Sequence, residues 1–486
     1  MPSMPVIRAI YSAVMWTLQP WLRIKLARRA IAEPLYGHRL EERFGRFGRV
    51  GPFASPSTEP TTTPLVWIHA VSLGEARVAA IVLPHLRAQL PGMRLLLTHS
   101  TATGWALGTQ LLHTSLQNVI TGFGSSKGIA VTEGANSVDV QTWLPWDTPS
   151  AVERFLAHFQ PSLGLLIETE VWPNLVAGCA RAGVPLALVN ARLSDKSLKE
   201  SQRLRWLSRP AYAGLAGVWA QTEADARRLT TLGARAVQVM GNLKFDAQPD
   251  AAKLALGRAI GRAWRRKHPA RPVLMLASSR EGEEAMLLDA IKSKSAAEHI
   301  EYTPSATKKI ADDVQWLIVP RHPQRFDAVA ALCEAAGFAV SRRSAWGEQF
   351  GEPLGEQTQD RPVIWLGDTL GDMALYYGLA NAALLGGSFA PLGGQNLIEA
   401  AACACPVVMG SSTFNFAQAA ALAEACGAAF RANNLNEALV AAVDLVNAAE
   451  RLQAASESAS QFASQHRGAA LKLAVAIKTK FFAGAP

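Results

Sequence analysis

A chain of 486 residues is too long for a single ordinary core and implies two domains or three. With 49% hydrophobic and 18% charged residues it has the material to fold, which excludes a disordered chain. The net charge of +9 does not point to nucleic acid, because residues 1–50 alone carry nine Lys/Arg against three Glu and the rest of the chain adds only +3. A basic block beside an apolar N-terminus suits an anionic lipid surface instead.

The first segment, Val6 to Leu22, is apolar with Tyr11, Trp16 and Trp21 at its fringe. Arg8, Gln19 and Pro20 interrupt it and "RIKLARR" follows, so residues 1–30 read as a retained membrane-anchor or membrane-surface segment. If it spans, the positive-inside rule keeps the remainder in the cytoplasm. From Pro64 onward short apolar runs alternate with amphipathic stretches. "LVWIHAV", "RLLLTHS", "VQTWLP", "LGLLIET", "PLALVNA", "GVWAQT" and "AVQVMGN" are the strands of a first Rossmann-like domain over 31–246. The alternation pauses over 247–272, which is expected to be an interdomain linker.

A second series, "PVLMLASS", "VQWLIVPRHP", "PVIWLGD", "AALLGGS" and "CPVVMG", marks a second doubly wound domain over 273–470, and residues 471–486 belong to a closing helix with a basic end. The fold class is therefore α/β, with two Rossmann-like doubly wound domains and an interdomain cleft. Residues 121–137 and 293–309 read as surface insertions. The five cysteines are an odd number in apolar patterns, which suits reduced core thiols, and no metal-ligand spacing occurs. No metal and no cofactor is expected.

In open α/β sheets ligands bind beyond the carboxyl ends of strands. The richest such stretch is Leu384 to Gly410. Gly386, Gly387 and Ser388 end a strand, Gly393 and Gly394 precede Gln395 and Asn396, and Glu399 lies in the first turn of a helix. Glycines let backbone amides approach an anion, a helix start favours negative charge, and Glu399 can accept the hydroxyls of a ribose. In the first domain Glu75 follows the glycine of "VSLGE", and Glu168 and Glu170 end the strand of "IETEVWPNL". By alternation the latter two point to the same side.

These motifs resemble those of the 3-deoxy-D-manno-octulosonic acid (Kdo) transferases of Gram-negative lipopolysaccharide synthesis. The resemblance runs nearly end to end through "YGHRLEERFG", "WIHAVSLGE", "THSTATGW", "LPWD", "IETEVWPNL", "VNARLSDKS", "GNLKFD", "ASSREGEE", "VPRHPQRF", "GDTLGDM" and "GGSFAPLGGQNLIEAAACACPVVMG". It implies a glycosyltransferase B architecture and an inverting transfer of Kdo from CMP-Kdo, a substrate, to a lipid A precursor (lipid IVA), without a metal. It places the enzyme at the cytoplasmic face of the cell inner membrane, where anionic lipids are further partners.

Such a transfer needs a base for the acceptor hydroxyl and positive charge for the departing CMP. The resemblance gives Glu75 the role of base and marks Glu168 as an active-site residue; the helix start at Glu75 is expected to help keep it ionised. Lys244 of "GNLKFD" is the catalytic cation at a strand end, and Arg192 an acceptor-binding or charge-neutralising one. On the donor side stand Ser279, Arg321, His322, Gly387, Ser388, Gly394, Asn396 and Glu399, with Ser278, Asp368 and Met373 at neighbouring strand ends. Gln395 and Arg280 depart from the family, many of whose members have His at both positions. Two other readings remain beside this one: a glycosyltransferase B enzyme using another nucleotide sugar on a lipid acceptor, and a membrane-tethered relative without turnover.

Overall fold

The computed structural model describes residues 4–48, 63–121, 139–292, 314–346 and 362–483. The expected insertions at 121–137 and 293–309 lie, apart from Thr121, outside them. The chain divides into two compact units, Met1–Asp246 with Gly468–Pro486, and Ala247–Arg467.

The first unit is built on seven parallel strands: β1 (Leu65–His69), β2 (Arg94–His99), β3 (Val140–Trp143), β4 (Leu163–Ile167), β5 (Leu186–Ala191), β6 (Gly217–Ala220) and β7 (Val237–Val239), in the order β3-β2-β1-β4-β5-β6-β7. Each apolar run expected as a strand is one. Alternation sorts the side chains of β1: Val66 and Ile68 join a core beneath the helices Leu73–Gln89 and Ala469–Phe481, while Leu65 and Trp67 join the opposite core with Phe155 and Leu175. Both faces being covered, every residue of β1 is buried, which is why it reads as a continuous apolar run.

The last helix belongs to this unit because Asp246 caps it. The Asp246 carboxylate accepts the N–H groups of Gly468 and, at 2.7 Å, of Ala470, the usual fit of an acid to a helix start.

At the N-terminus the apolar segment forms two helices, Met4–Thr17 and Gln19–Ala32, parted at Leu18 just before Pro20. Fourteen residues rise about 21 Å, short of the ~30 Å hydrocarbon core. Among the described residues no helix is long and apolar enough to cross a membrane, so a spanning anchor is not found. The first helix instead docks on its unit. Tyr11 Oη donates to Asp147 Oδ2 at 2.9 Å and Ser12 Oγ to Asn174 Oδ1 at 3.0 Å.

The second unit has its own seven parallel strands: β8 (Val273–Ser279), β9 (Gln315–Pro320), β10 (Ala339–Arg342), β11 (Val363–Leu366), β12 (Ala382–Leu385), β13 (Val407–Met409) and β14 (Ala429–Arg431), ordered β10-β11-β9-β8-β12-β13-β14. Residues 247–272, expected as a linker, contain the helix Ala251–Lys267, which is packed into this unit. Its Gly257 and Gly261 let the backbone of the helix Met373–Leu379 come close: a Cβ on Gly257 would stand 2.0 Å from the Leu375 carbonyl oxygen. Ile260 and Trp264 are buried beside them.

Candidate active site

In the first sheet the strand order reverses between β1 and β4, and in the second between β8 and β12. Loops leaving these pairs diverge and open a crevice at the strand ends; Glu75 and Glu168 follow the first pair, Ser279 and the Gly387 loop stand at the ends of the second, while Arg192, Lys244 and Arg321 follow β5, β7 and β9.

After β1 the chain turns at Val71 and Ser72 into the helix that carries Glu75 in its first turn. The carboxylate folds back on that turn: Val71 N–H donates to Oε2 at 2.7 Å and Ser72 Oγ to Oε1 at 3.3 Å. Burial nonetheless pushes its carboxyl up to about 8, with the nearby charges of Glu170 and Glu168 adding to the rise and the Val71 amide opposing it. The Val71 amide and the Ser72 hydroxyl at the helix start favour the ionised form, as expected, but lost hydration and two neighbouring carboxylates outweigh them.

Glu168 leaves β4 with φ +64°, a left-handed turn that a non-glycine residue rarely adopts. The turn aims its buried carboxylate at two cations, Lys244 Nζ at 2.7 Å from Oε1 and Arg192 Nε at 3.2 Å from Oε2. Glu170, two residues on, takes the Trp172 indole N–H at 3.0 Å. Lys244 is held by asparagines. Asn242 Oδ1 accepts its own N–H at 3.0 Å, and Asn190 Oδ1 accepts that of Leu243 at 3.0 Å. Asn190, with φ +51°, lies where the register of β5 against β6 shifts. Beneath the loop, His99 Nδ1 meets the Ala70 carbonyl at 2.7 Å. Burial lowers His99 to about 4, so it is neutral and Nδ1 donates.

In the second unit Glu283, unremarked in the sequence, governs the glycine loop after β12. Its carboxylate accepts Gly387 N–H at 2.8 Å on each oxygen, Arg280 N–H at 2.9 Å and Phe389 N–H at 3.4 Å. The Gly387 amide is thus engaged within the protein and does not present itself to a donor anion, contrary to expectation. Ser388 is likewise turned inward: its buried hydroxyl donates to Leu385 O and accepts Gly410 N–H at 2.8 Å. Ser279 Oγ donates to Glu284 at 2.6 Å, and Glu284 forms a two-bond pair with Arg325 at 2.7 and 2.9 Å. These three residues shape the loops, because buried hydroxyls and amides must find partners inside the fold.

Gly394, with φ +70°, donates its N–H to Gly387 O at 2.8 Å and closes the loop. Asn396 caps the helix Leu397–Ala402, its Oδ1 taking Ile398 N–H at 3.2 Å, and the half-buried Glu399 lies in the first turn. Arg321 follows β9, its N–H bonded to Ser279 O at 3.0 Å. His322 is held below its ordinary value by partial burial and then by the charges of Arg280, Arg321 and Arg325. That clustering of cations is what a phosphate or carboxylate ligand requires. Asp368 is bound to Arg342 and Ser344, and Met373 begins its helix.

A family model described as 3-Deoxy-D-manno-octulosonic-acid transferase (kdotransferase) matches residues 38–247. A 3-deoxy-D-manno-octulosonic acid transferase of Bordetella pertussis is 43% identical over 467 residues, 95% of this chain and 96% of that protein. The chain belongs to the Kdo transferase family. One of Haemophilus influenzae is 28% identical, over 96% of this chain and 97% of that one. Among solved structures, Anabaena Alr3699/HepE in complex with UDP superposes with a TM-score of 0.52 at 13% identity, covering 86% of this chain and 100% of that one. At that identity the likeness concerns the fold, two parallel-sheet α/β domains of the glycosyltransferase B kind.

Membership makes the chain a glycosyltransferase and gives the missed residues their meaning. Glu283, Glu284 and Asn190 hold strand-end loops in place. A signal for the first two existed in "REGEE", two acids opening a helix after a strand.

Proposed function

We propose that the chain transfers Kdo from CMP-Kdo to a lipid A precursor, lipid IVA, with inversion at the anomeric centre, at the cytoplasmic face of the inner membrane. The observation that carries this reading is Glu75, at a sheet switch point with its carboxyl raised to about 8. A general base is most effective when its pKa lies near the working pH. In the proposed step the acceptor hydroxyl oxygen forms a bond to the anomeric carbon as its proton passes to Glu75. The anomeric carbon–phosphate oxygen bond breaks and its electron pair leaves with CMP. Glu168, neutralised by Lys244 and Arg192, organises the charge around this base. The donor is assigned to the second unit, where Arg280 and Arg321 supply positive charge and Glu399 the ribose contact, Arg325 being paired with Glu284. No metal or cofactor enters the scheme.

The N-terminal helices are assigned to the membrane surface. Val6, Ile10 and Val14 are exposed at a spacing of four, one face of a helix, while Tyr11 and Ser12 dock on the protein. Mass analysis of products from CMP-Kdo and a tetraacylated lipid A precursor tests the reaction, with the native chain compared to Glu75→Ala. Unchanged turnover in the variant would remove the base assignment, and stronger protection by UDP than by CMP would remove the donor.

A further inference from the structure

Beyond the N-terminal helices, a second apolar and basic surface remains on the first unit. The helix Asp195–Arg203 has no buried residue, and it meets the helix Arg205–Ala213 at a corner where Leu204 is 61% and Trp206 48% exposed. Lys196, Lys199, Arg203, Arg205 and Arg209 surround the corner, all exposed. Of the two acids there, Asp195 is already paired with Arg228 at 2.6 Å, leaving Glu200 against five cations. Large apolar side chains projecting from a basic rim mark an interaction site, and a tryptophan among arginines suits the headgroup layer of an anionic bilayer. The corner also adjoins the first helix, since Arg8 and Trp206 line one groove of about 240 Å³ together with Pro173, Val176 and Pro210. The exposed stripe of Val6, Ile10 and Val14 belongs to that same helix.

We propose that the corner Gln202–Trp206 is a second contact with an anionic lipid bilayer. Leu204 and Trp206 enter the boundary between headgroups and acyl chains, and Lys199, Arg203, Arg205 and Arg209 meet lipid phosphates. The proposal rests on the reading of the N-terminal helices as a membrane-surface element and adds a second point of attachment. Two contacts orient a protein on a plane, whereas one leaves it free to tilt.

The test is co-sedimentation of the full chain with vesicles of phosphatidylcholine, alone or mixed with phosphatidylglycerol. Leu204→Ser with Trp206→Ser is compared with Val6→Ser, Ile10→Ser and Val14→Ser combined. Each set is expected to lower partitioning onto the anionic vesicles about tenfold. Arg203→Gln with Arg205→Gln, exposed changes that leave packing alone, should do the same and flatten the salt dependence. If the stripe variant loses binding while both corner variants keep it, the proposal falls and the N-terminal reading stands. If only the corner variants lose it, the corner stands and the N-terminal reading falls; if none does, both fall. Unchanged vesicle binding with a change from dimer to monomer in the corner variants would overturn the proposal in favour of a second copy of the chain.

Discussion

Both carboxylate oxygens of Glu283 lie 2.8 Å from the amide nitrogen of Gly387. Through this contact the loop after β8 holds the loop after β12. The neighbourhood is tight enough that a Cβ on Gly386 would meet Ser278 O at 2.4 Å. With Arg280 and Phe389 amides on the same carboxylate, the loop conformation depends on one acid. Glu283→Gln keeps one acceptor oxygen but turns N–H groups toward backbone donors. It should raise the KM for the donor about tenfold, the equivalent of one hydrogen bond, with kcat little changed. Glu283→Ala, which leaves buried amides unpaired, should cost about 3 kcal/mol of stability in denaturant unfolding.

The raised carboxyl of Glu75 predicts how rate and stability respond to pH. As the proposed base it must be ionised, so kcat/KM should climb about tenfold per pH unit toward a bend near pH 8. Glu75→Gln should lower kcat by roughly 10²–10⁴-fold and abolish this limb. For stability the sign is the reverse. The folded value lies above the ordinary 4.5, so the fold favours the neutral acid; that contribution is complete below pH 4.5 and is lost as pH rises through about 8. The Tm of Glu75→Gln relative to the native chain should therefore increase steadily between roughly pH 5 and pH 9.

Lys244 and Arg192 share Glu168, but not equally. Lys244 is the closer and the more buried cation, its side chain 20% exposed against 41% for Arg192. Lys244→Met leaves a buried carboxylate with one longer contact and should destabilise the first unit by about 3 kcal/mol. Arg192→Met should cost less than about 1 kcal/mol, as an exposed pair does. If Glu168 serves only the fold, activity will follow stability in both variants. The proposed role predicts that Arg192→Met also loses activity while remaining folded, which thermal unfolding and product formation measured together will decide.

The legible parts of the sequence were those set by burial on both faces. β1, β4, β8 and β12 are continuous apolar runs because helices cover each side, and their ends carry the acids and glycines that drew notice. The strands β10 and β14 escaped because they are short sheet edges with half-buried residues such as Val340 and Phe430, and a strand of that kind has no clean pattern. The partners of Ser388, Gly387 and Ser279 were not legible either. For Gly387 the partner, Glu283, depends on which strands become neighbours, the β8–β12 pairing joining segments about a hundred residues apart; Ser279 and Ser388 have local partners, Glu284 and Leu385 O, that no periodicity marks. The helix Ala251–Lys267 shows only a broken apolar stripe because two glycines, Gly257 and Gly261, share its buried face with Ile260 and Trp264.

That last helix gives the clearest test of where the second unit begins. Gly257 stands so close to Leu375 that a methyl group has no room, and Gly378 faces Leu254 O at 2.7 Å from the other side. In a free connecting segment Gly257→Ala would be neutral or slightly stabilising, since alanine is the better helix former. In the packed seam the added carbon must push the two helices apart, at a cost of about 2 kcal/mol. Gly282, whose Cβ would meet nothing within 4 Å, lies at φ +92° and is not a fair control. An alanine at exposed Arg266 near the end of the same helix is. Unfolding of the second unit should shift to lower denaturant in Gly257→Ala and stay in place in Arg266→Ala; equal behaviour of the two would mean that the glycine seam does not bind the helix to the unit.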